Sequence, residues 1–410
     1  MTHYKAAWIL PISGEPIRDG WIAVDRGRVA ALGARATAGT SAVDLGSVAI
    51  LPGLVNAHTH LELSYMRDEV PPASEFVAWI RGVMVARRAR PDVRSPEILS
   101  ALEAAVVEAT CAGTALVGDI SNTLVTVAPL IASPLAGVVF YELIRFNAPD
   151  PQGFVEEANA ALAALPQSNR VRTSLAAHAP YSVGPLVLRA IRESVDRTPF
   201  APCSIHLSES VEEIEFIHSG SGPWRAFLEE VGAWDPQWVP PGGSPVQFLD
   251  ESGFLNARVL AIHGVQMTTE DLERLAARGA TLVTCPRSNF HTGAGAPPIE
   301  EFYASGVHVA VGTDSLASTP DLNMFAELAT MRALAPTVPA RQLLDSATRQ
   351  GARALGFDAE FGTIEPGKSA RLIAVDVPPD VEDVEEYLVG GVQPAQIKWL
   401  NEAGSRGLGD

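Results

Sequence analysis

Apolar positions along this chain fall into short runs, and those of the middle recur with a rhythm that the ends lack. β-like runs stand at Leu54–His60, Thr114–Ile120, Gly137–Ile144, Val171–Ala177, Cys203–His206, Val259–His263, Ala280–Thr284 and Val307–Thr313. Short, nearly continuous apolar runs of this kind read as strands buried on both faces. Between them lie alanine-rich, helix-compatible segments such as Pro96–Ala112, Phe154–Ala164, Leu186–Val195 and Thr269–Arg278. Eight strands alternating with helices predict an α/β fold, a (β/α)8 TIM barrel. A doubly wound open sheet has the same alternation and is the structural alternative.

The ends carry a different pattern. Ala6–Leu10, Trp21–Val24, Arg28–Leu32 and Ser47–Leu51 are candidate strands separated by Gly-Glu-Pro and Asp-Arg-Gly turns. From Phe361 the chain has similar chemistry, a Gly/Pro-rich stretch and then the apolar run Leu372–Val377. The expectation is a small β-sandwich domain built from both termini, residues 1–51 and 361–410 with a C-terminal tail, around a barrel of residues 52–360. Leu124–Tyr141 lacks charge and is about long enough to span a bilayer. Pro129 and Pro134 interrupt it and Glu142 follows, so a helix end, a loop and a buried strand are expected there.

Composition narrows the class. A chain of 410 residues, 47% hydrophobic and 19% charged, is core-rich and globular. A net charge of −18 opposes nucleic acid or anionic membrane as a partner, and any anionic substrate would need local arginines. Cys111, Cys203 and Cys285 are widely spaced, which suits a reducing cytoplasm and offers neither a disulfide framework nor a cysteine zinc site. The first residues lack the apolar core of a signal peptide. A cytoplasmic location is expected.

Candidate chemistry collects at the C-terminal ends of the predicted strands, where TIM barrels carry their active sites. His58 and His60 end the first strand; two apart, they point to one face and can converge on a metal ion. His178 ends the fourth strand, His206 the fifth and His263 the sixth, and Asp314 follows the eighth. Most of the chain's nine histidines thus fall on one rim. An open sheet would not bring its first and eighth strands together, so the barrel is preferred. Glu209, just past the fifth strand, reads as a general acid/base toward a metal-activated water, or as a helix N-terminal glutamate. Asp314 reads as a metal ligand, or as an N-cap of the next helix.

These motifs resemble the amidohydrolase superfamily, in its branch of mononuclear deaminases and chlorohydrolases. Pro52-Gly53 with His58-Thr59-His60, His206 with Glu209, His263-Gly264 and Gly312-Thr313-Asp314 follow its order across the chain. The resemblance implies that His58, His60, His206 and Asp314 hold one divalent metal, that His263 hydrogen-bonds the attacking water or the substrate, and that Glu209 shuttles protons. Another branch bridges two metals with a carboxylated lysine on the fourth strand. Lys5, Lys368 and Lys398, the only lysines, all lie outside the barrel segment. One metal is expected, zinc with iron as the alternative, since both accept histidine and carboxylate ligands.

Finer motifs bear on the substrate. His58-Thr59-His60-Leu61-Glu62-Leu63-Ser64, His178-Ala179-Pro180-Tyr181-Ser182, Ser244-Pro245-Val246 and Cys285-Pro286-Arg287-Ser288-Asn289 are similar to the aminodeoxyfutalosine deaminases of menaquinone biosynthesis. The His178 motif is shared with adenosine-type and S-adenosylhomocysteine deaminases. The resemblance implies hydrolytic deamination of an adenine-containing nucleoside, 6-aminodeoxyfutalosine first. Adenosine, S-adenosylhomocysteine, methylthioadenosine and guanine are alternatives, as is a triazine-like ring in a chlorohydrolase. A metal-free scaffold barrel is the non-enzyme alternative; it would have no need to keep all the rim groups.

A futalosine-type substrate carries a carboxylate, for which Arg145 and Arg287 at the rim are candidates, with structural ion pairs as the other reading. Glu62, His178 and Asn289 are candidate contacts to ribose or base, and Phe76 and Trp79 can stack on a ring or pack in the core. The long excursion Val211–Asn256 is a candidate lid or pocket wall, or else a helix pair on the barrel's outside. His3, His218, His291 and His308 are expected to be ordinary surface or packing residues. A homodimer is compatible with the sequence.

Overall fold

The first sheet begins with β1 (Thr2–Ile9), β2 (Ile17–Asp25), β3 (Arg28–Gly33), β4 (Val43–Asp44) and β5 (Val48–Pro52). In this computed structural model, residues 1–34, 42–199 and 201–400 are described. β1 pairs antiparallel with β2 and parallel with β4 and β5. One residue, Gly53, separates β5 from the first barrel strand. A Cβ there would lie 2.6 Å from Ala115 Cβ and 3.1 Å from the Arg371 carbonyl oxygen, so only glycine lets the two sheets meet this closely.

The barrel is formed by β6 (Leu54–Thr59), β7 (Thr114–Ser121), β8 (Ala136–Leu143), β9 (Val171–Ala177), β10 (Cys203–Leu207), β11 (Val259–His263), β12 (Thr281–Thr284) and β13 (His308–Val311). Each is hydrogen-bonded in parallel to the next, in chain order. The ring closes where Thr59 and Asp314 form a parallel bridge and the Asp314 N–H donates to the His58 carbonyl oxygen at 3.0 Å. That closure rules out the open sheet. All eight strands lie within a few residues of the apolar runs that predicted them. β14 (Leu372–Asp376) and β15 (Ile397–Trp399) then return to the first sheet, β14 pairing antiparallel with β5. The predicted C-terminal tail, residues 401–410, lies outside the described residues.

Helices fill the intervals: α1 (Phe76–Ala89), α2 (Pro96–Cys111), α3 (Val127–Ala132), α4 (Pro151–Ala163), α5 (Pro185–Asp196), α6 (Val211–Ser219), α7 (Gly222–Glu230), α8 (Pro245–Glu251) and α9 (Thr269–Arg278) among them. Their starts are written in the sequence. Proline opens α2, α4, α5 and α8, and α9 has a reciprocal capping box between Thr268 and Asp271. The uncharged stretch 124–141 resolves into α3, a turn and β8. Among the described residues no helix is long and apolar enough to cross a membrane.

Two buried clusters matter for the site. Val55, Leu116, Ile120, Val138, Phe140, Leu260, Ile262 and Val283 form one buried apolar cluster in the barrel beneath the rim. A second cluster, rich in aromatic rings, caps one side of the mouth. There Phe76 and Trp79 of α1 meet Tyr181 and Trp224, and the Tyr181 and Trp224 rings stack at 3.7 Å. The 211–256 excursion forms α6, α7 and α8, and its Phe216, Trp234 and Trp238 pack around Phe146. It backs the aromatic wall of the mouth.

Candidate active site

Strand ends aim the rim side chains inward, and three of them do so through strained backbone. Ser208, His263 and Asp314 have φ of 51°, 76° and 61°, in the left-handed region that non-glycine residues rarely enter. Each lies just past or at the end of its strand, where the chain must leave the sheet direction while its side chains stay over the barrel axis. Neighbouring Gly312 allows the last turn: a Cβ there would come within 2.5 Å of the His58 carbonyl oxygen.

The result is a compact group of ligating atoms. His58 has ring centroids at 4.9 Å from His60, 5.0 Å from His206 and 5.7 Å from His263. Asp314 Oδ1 lies 3.7 Å from His58 Nε2 and 3.5 Å from His60 Nε2. Ligand atoms of His58, His60 and Asp314 all lie within 4.8 Å of one another, as do those of His58, His206 and His263. Both nitrogens of His58 are buried without a hydrogen-bond partner among the described residues. A buried imidazole with neither nitrogen satisfied is costly in a closed protein and natural for a metal ligand. His206 Nδ1 donates to the His178 carbonyl oxygen at 2.8 Å, which fixes the ring and leaves Nε2 for the cluster. Ser288 Oγ donates to Asp314 Oδ2 at 2.5 Å, and Ser318 Oγ lies 3.3 Å from the same oxygen. Oδ1 is thereby left facing the histidines. The donor set, imidazole nitrogen with carboxylate oxygen, fits a divalent cation.

Burial sets the charge states. It depresses His206 and His178 to about 4 and holds His60 and His263 well below the ordinary imidazole value, so these rings are neutral, the form that ligates metal. Burial also works to raise Asp314, but His58 and the surrounding imidazoles override it and keep the carboxyl well below its usual range. Glu209 goes the other way. Burial first, then the negative charges of Asp314, Glu213 and Glu212, push it well above the ordinary carboxylate value. Two carboxyl groups in one cleft are therefore pushed in opposite directions, Asp314 toward its ionised form and Glu209 toward its protonated one.

A relay leads to Glu209. Its Oε1 lies 3.5 Å from His263 Nε2, and Asn289 Nδ2 donates to His263 Nδ1 at 2.9 Å. With Nδ1 accepting, the ring proton sits on Nε2 and faces Glu209. Glu213 takes both the Ser208 and Glu209 backbone N–H groups at 2.9 Å, clamping the strained turn that presents Glu209.

The cleft above this group contains about 570 Å³ of space between atoms, some of it open to solvent. Among the residues singled out from sequence, His60, Phe76, Trp79, His178, His206, Glu209, His263 and Asp314 line it. Asn289 stands behind His263 instead of on the wall. Arg287 is turned away: it donates to Asp321 Oδ1 at 2.8 Å and Thr319 Oγ1 at 2.9 Å. Arg145 is exposed, with its guanidinium 5.1 Å from the centre of the Phe154 ring and outside the cleft. Among the lining residues that the sequence did not single out are Arg87, Asn122 and Glu142. Glu142, at the end of β8, had the same strand-end signal as the histidines, and its Oε1 lies 3.5 Å from His206 Nδ1. Arg87 sits about three turns along α1 in a run of arginines and gave no signal at all.

Glu62 is buried with its carboxylate directed at the loop after β7. It accepts from Ser121 Oγ at 2.6 Å, Asn122 N at 3.0 Å, Thr123 N at 3.2 Å and Thr123 Oγ1 at 2.7 Å. A side chain so engaged organises the loop. Glu62→Ala is expected to cost about 3 kcal/mol of unfolding free energy, because several buried donors lose their acceptor together. Urea denaturation measures this, and a change below about 0.5 kcal/mol, the range of ordinary surface substitutions, would show that the loop does not depend on Glu62.

Comparison with known proteins agrees with this geometry. The signature of the Amidohydrolase family matches residues 49–398. A 5-methylthioadenosine/S-adenosylhomocysteine deaminase of Moorella thermoacetica is 32% identical, over 96% of this chain and 90% of the relative. An aminodeoxyfutalosine deaminase of Deinococcus radiodurans is also 32% identical, over 78% of this chain and 77% of the relative. The crystal structure of a Xanthomonas campestris adenosine deaminase with bound zinc superposes with a TM-score of 0.81 at 26% identity, covering 98% of this chain and 92% of that one.

Proposed function

The chain belongs to the amidohydrolase family, and from that premise we propose that it is a metal-dependent hydrolytic deaminase of a 5′-substituted adenine nucleoside. Its leading substrate in this reading is 6-aminodeoxyfutalosine, converted to a futalosine-type product and ammonia in menaquinone biosynthesis; methylthioadenosine and S-adenosylhomocysteine are the alternatives. The observation that carries the proposal is the meeting of His58, His60, His206, His263, Glu209 and Asp314, from four strand ends, in one aromatic-walled cleft. Deaminases of both nucleoside types at 32% identity support the substrate class.

In this reading His58, His60, His206 and Asp314 hold one divalent cation, zinc with iron as the alternative. When bound, the cation supplies Lewis-acid activation of water near neutral pH. The rest falls to side chains. Asp314, ionised, draws off a proton from the water, and His263, neutral with its proton on Nε2, orients it by a hydrogen bond. Glu209, protonated in its dry position, gives a proton to the purine ring nitrogen beside the amino-bearing carbon. That carbon then accepts the water oxygen. The proton taken from water passes to the amino group, the C–N bond breaks as the new hydroxyl returns its proton to Glu209 and becomes the carbonyl, and ammonia leaves. Phe76 and Trp79 flank the space available to the base.

An ammonia-release screen tests the proposal on metal-loaded protein. It compares aminodeoxyfutalosine, adenosine, methylthioadenosine, S-adenosylhomocysteine and guanine, with chloride release from a chlorotriazine alongside. Turnover of a 5′-substituted adenine nucleoside is expected to exceed that of guanine and the triazine by at least about a hundredfold, the discrimination available when polar groups matched to one ring are left unpaired by another. Absence of ammonia from every nucleoside would overturn it.

A further inference from the structure

In a chain with a net charge of −18, an anionic ligand depends on a local cation. Arg87 is the single arginine or lysine among the described residues that line the catalytic cleft. It also lines an adjoining cavity, together with Leu63, which the two spaces share, and with Glu62, Tyr65 and Thr123. Arg87 therefore borders both the chamber of the histidine cluster and a second chamber beside it.

Its guanidinium is set in place without being used up. Nη1 donates to Asn122 Oδ1 at 2.8 Å and Nη2 to Glu62 Oε1 at 3.5 Å. Glu62, held by the loop after β7, pairs with Arg87 through one nitrogen only and fixes its position. A guanidinium has five N–H donors, and these two bonds leave the others for a ligand. About a third of the side chain, 34%, remains exposed. Arg90, on the far wall of the second chamber, is closed off by Glu97 at 2.8 Å and by both carboxylate oxygens of Glu69.

We propose that Arg87 is the specificity-determining residue of this cleft, receiving a carboxylate carried on the 5′ extension of the nucleoside as that extension passes from the first chamber into the second. A planar fork of donors matches a carboxylate in two bonds, which a neutral extension cannot form. The identity of the base rests on the deaminase reading; the contact at Arg87 does not require turnover.

Calorimetric binding separates the two. The metal-loaded Glu209→Gln protein, which consumes ligand slowly, is titrated with aminodeoxyfutalosine, S-adenosylhomocysteine and uncharged methylthioadenosine. The same titrations follow with Arg87→Gln, Arg87→Lys and Arg145→Gln added. With Arg87 present, the aryl carboxylate is expected to bind about 30-fold more tightly than methylthioadenosine, and Arg87→Gln to reduce that ratio to about threefold or less, the range of a hydrogen-bonded charge pair gained and lost. Arg87→Lys should fall between. S-adenosylhomocysteine decides whether an amino-acid carboxylate is accepted as well as an aryl one.

A ratio unchanged in Arg87→Gln would overturn the assignment. So would equal weakening of charged and uncharged nucleosides, which marks a structural role, or the same fall in Arg145→Gln. If the wild-type protein releases no ammonia but the ratio behaves as stated, the deaminase reading fails and the Arg87 contact stands. Failure of every nucleoside to bind at millimolar concentration overturns both.

Discussion

Glu209→Gln is expected to lower ammonia release by about a thousandfold while the protein keeps its metal, the range for removing a positioned proton-transfer group. Glutamine keeps the size and hydrogen-bonding reach of the side chain but cannot deliver a proton. The position suits the role: Glu209 is buried, faces His263 Nε2 at 3.5 Å, and is pushed toward its protonated form by burial and neighbouring carboxylates. Because Glu213 clamps its backbone by two hydrogen bonds, the substitution leaves the turn intact. Turnover and metal content are measured on the same preparation. Retained turnover would remove Glu209 from the chemistry, and lost metal would recast it as a ligand.

Asp314→Ala should act on metal first and activity second. Among the described residues Asp314 is the one carboxylate paired with both His58 and His60, and Ser288 and Ser318 hold it so that Oδ1 points at them. Its removal is expected to weaken metal binding by at least about a hundredfold, since partners one shell further out already cost 10–100-fold. Elemental analysis after dialysis against a weak chelator reads the loss. A melting temperature that no longer responds to added zinc reads it a second way, because a ligand bound only by the folded state raises stability. Full metal content in the variant would remove Asp314 from the ligand set.

The barrel was legible because both faces of its strands are buried, which makes each one a short apolar run. The rim histidines were legible because a strand end fixes both position and facing. Direction is where sequence reading ran out. Arg145 and Arg287 follow their strand ends by two and three residues, yet one lies beside Phe154 and the other is held by Asp321 and Thr319. Their directions depend on residues remote in sequence. Arg87 is the converse case. It reaches the cleft only because α1 runs along the mouth, and a position about three turns into a helix carries no mark of that. β4 and β15 were missed for a simpler reason: two- and three-residue strands are below the length at which a period of two can be counted.

The terminal sheet has a consequence for synthesis. β5 lies between β1 and β14, and Pro52 pairs with Leu372, about 320 residues later in the chain. At a ribosomal rate of ~5–20 residues per second, roughly 16–64 s pass between emergence of the two partners. Through that interval one edge of β5 has no strand beside it, and an open edge is a template for pairing with other chains. The barrel strand that carries His58 and His60 starts one residue beyond that edge, so the nascent chain has to protect this region until its last strands arrive.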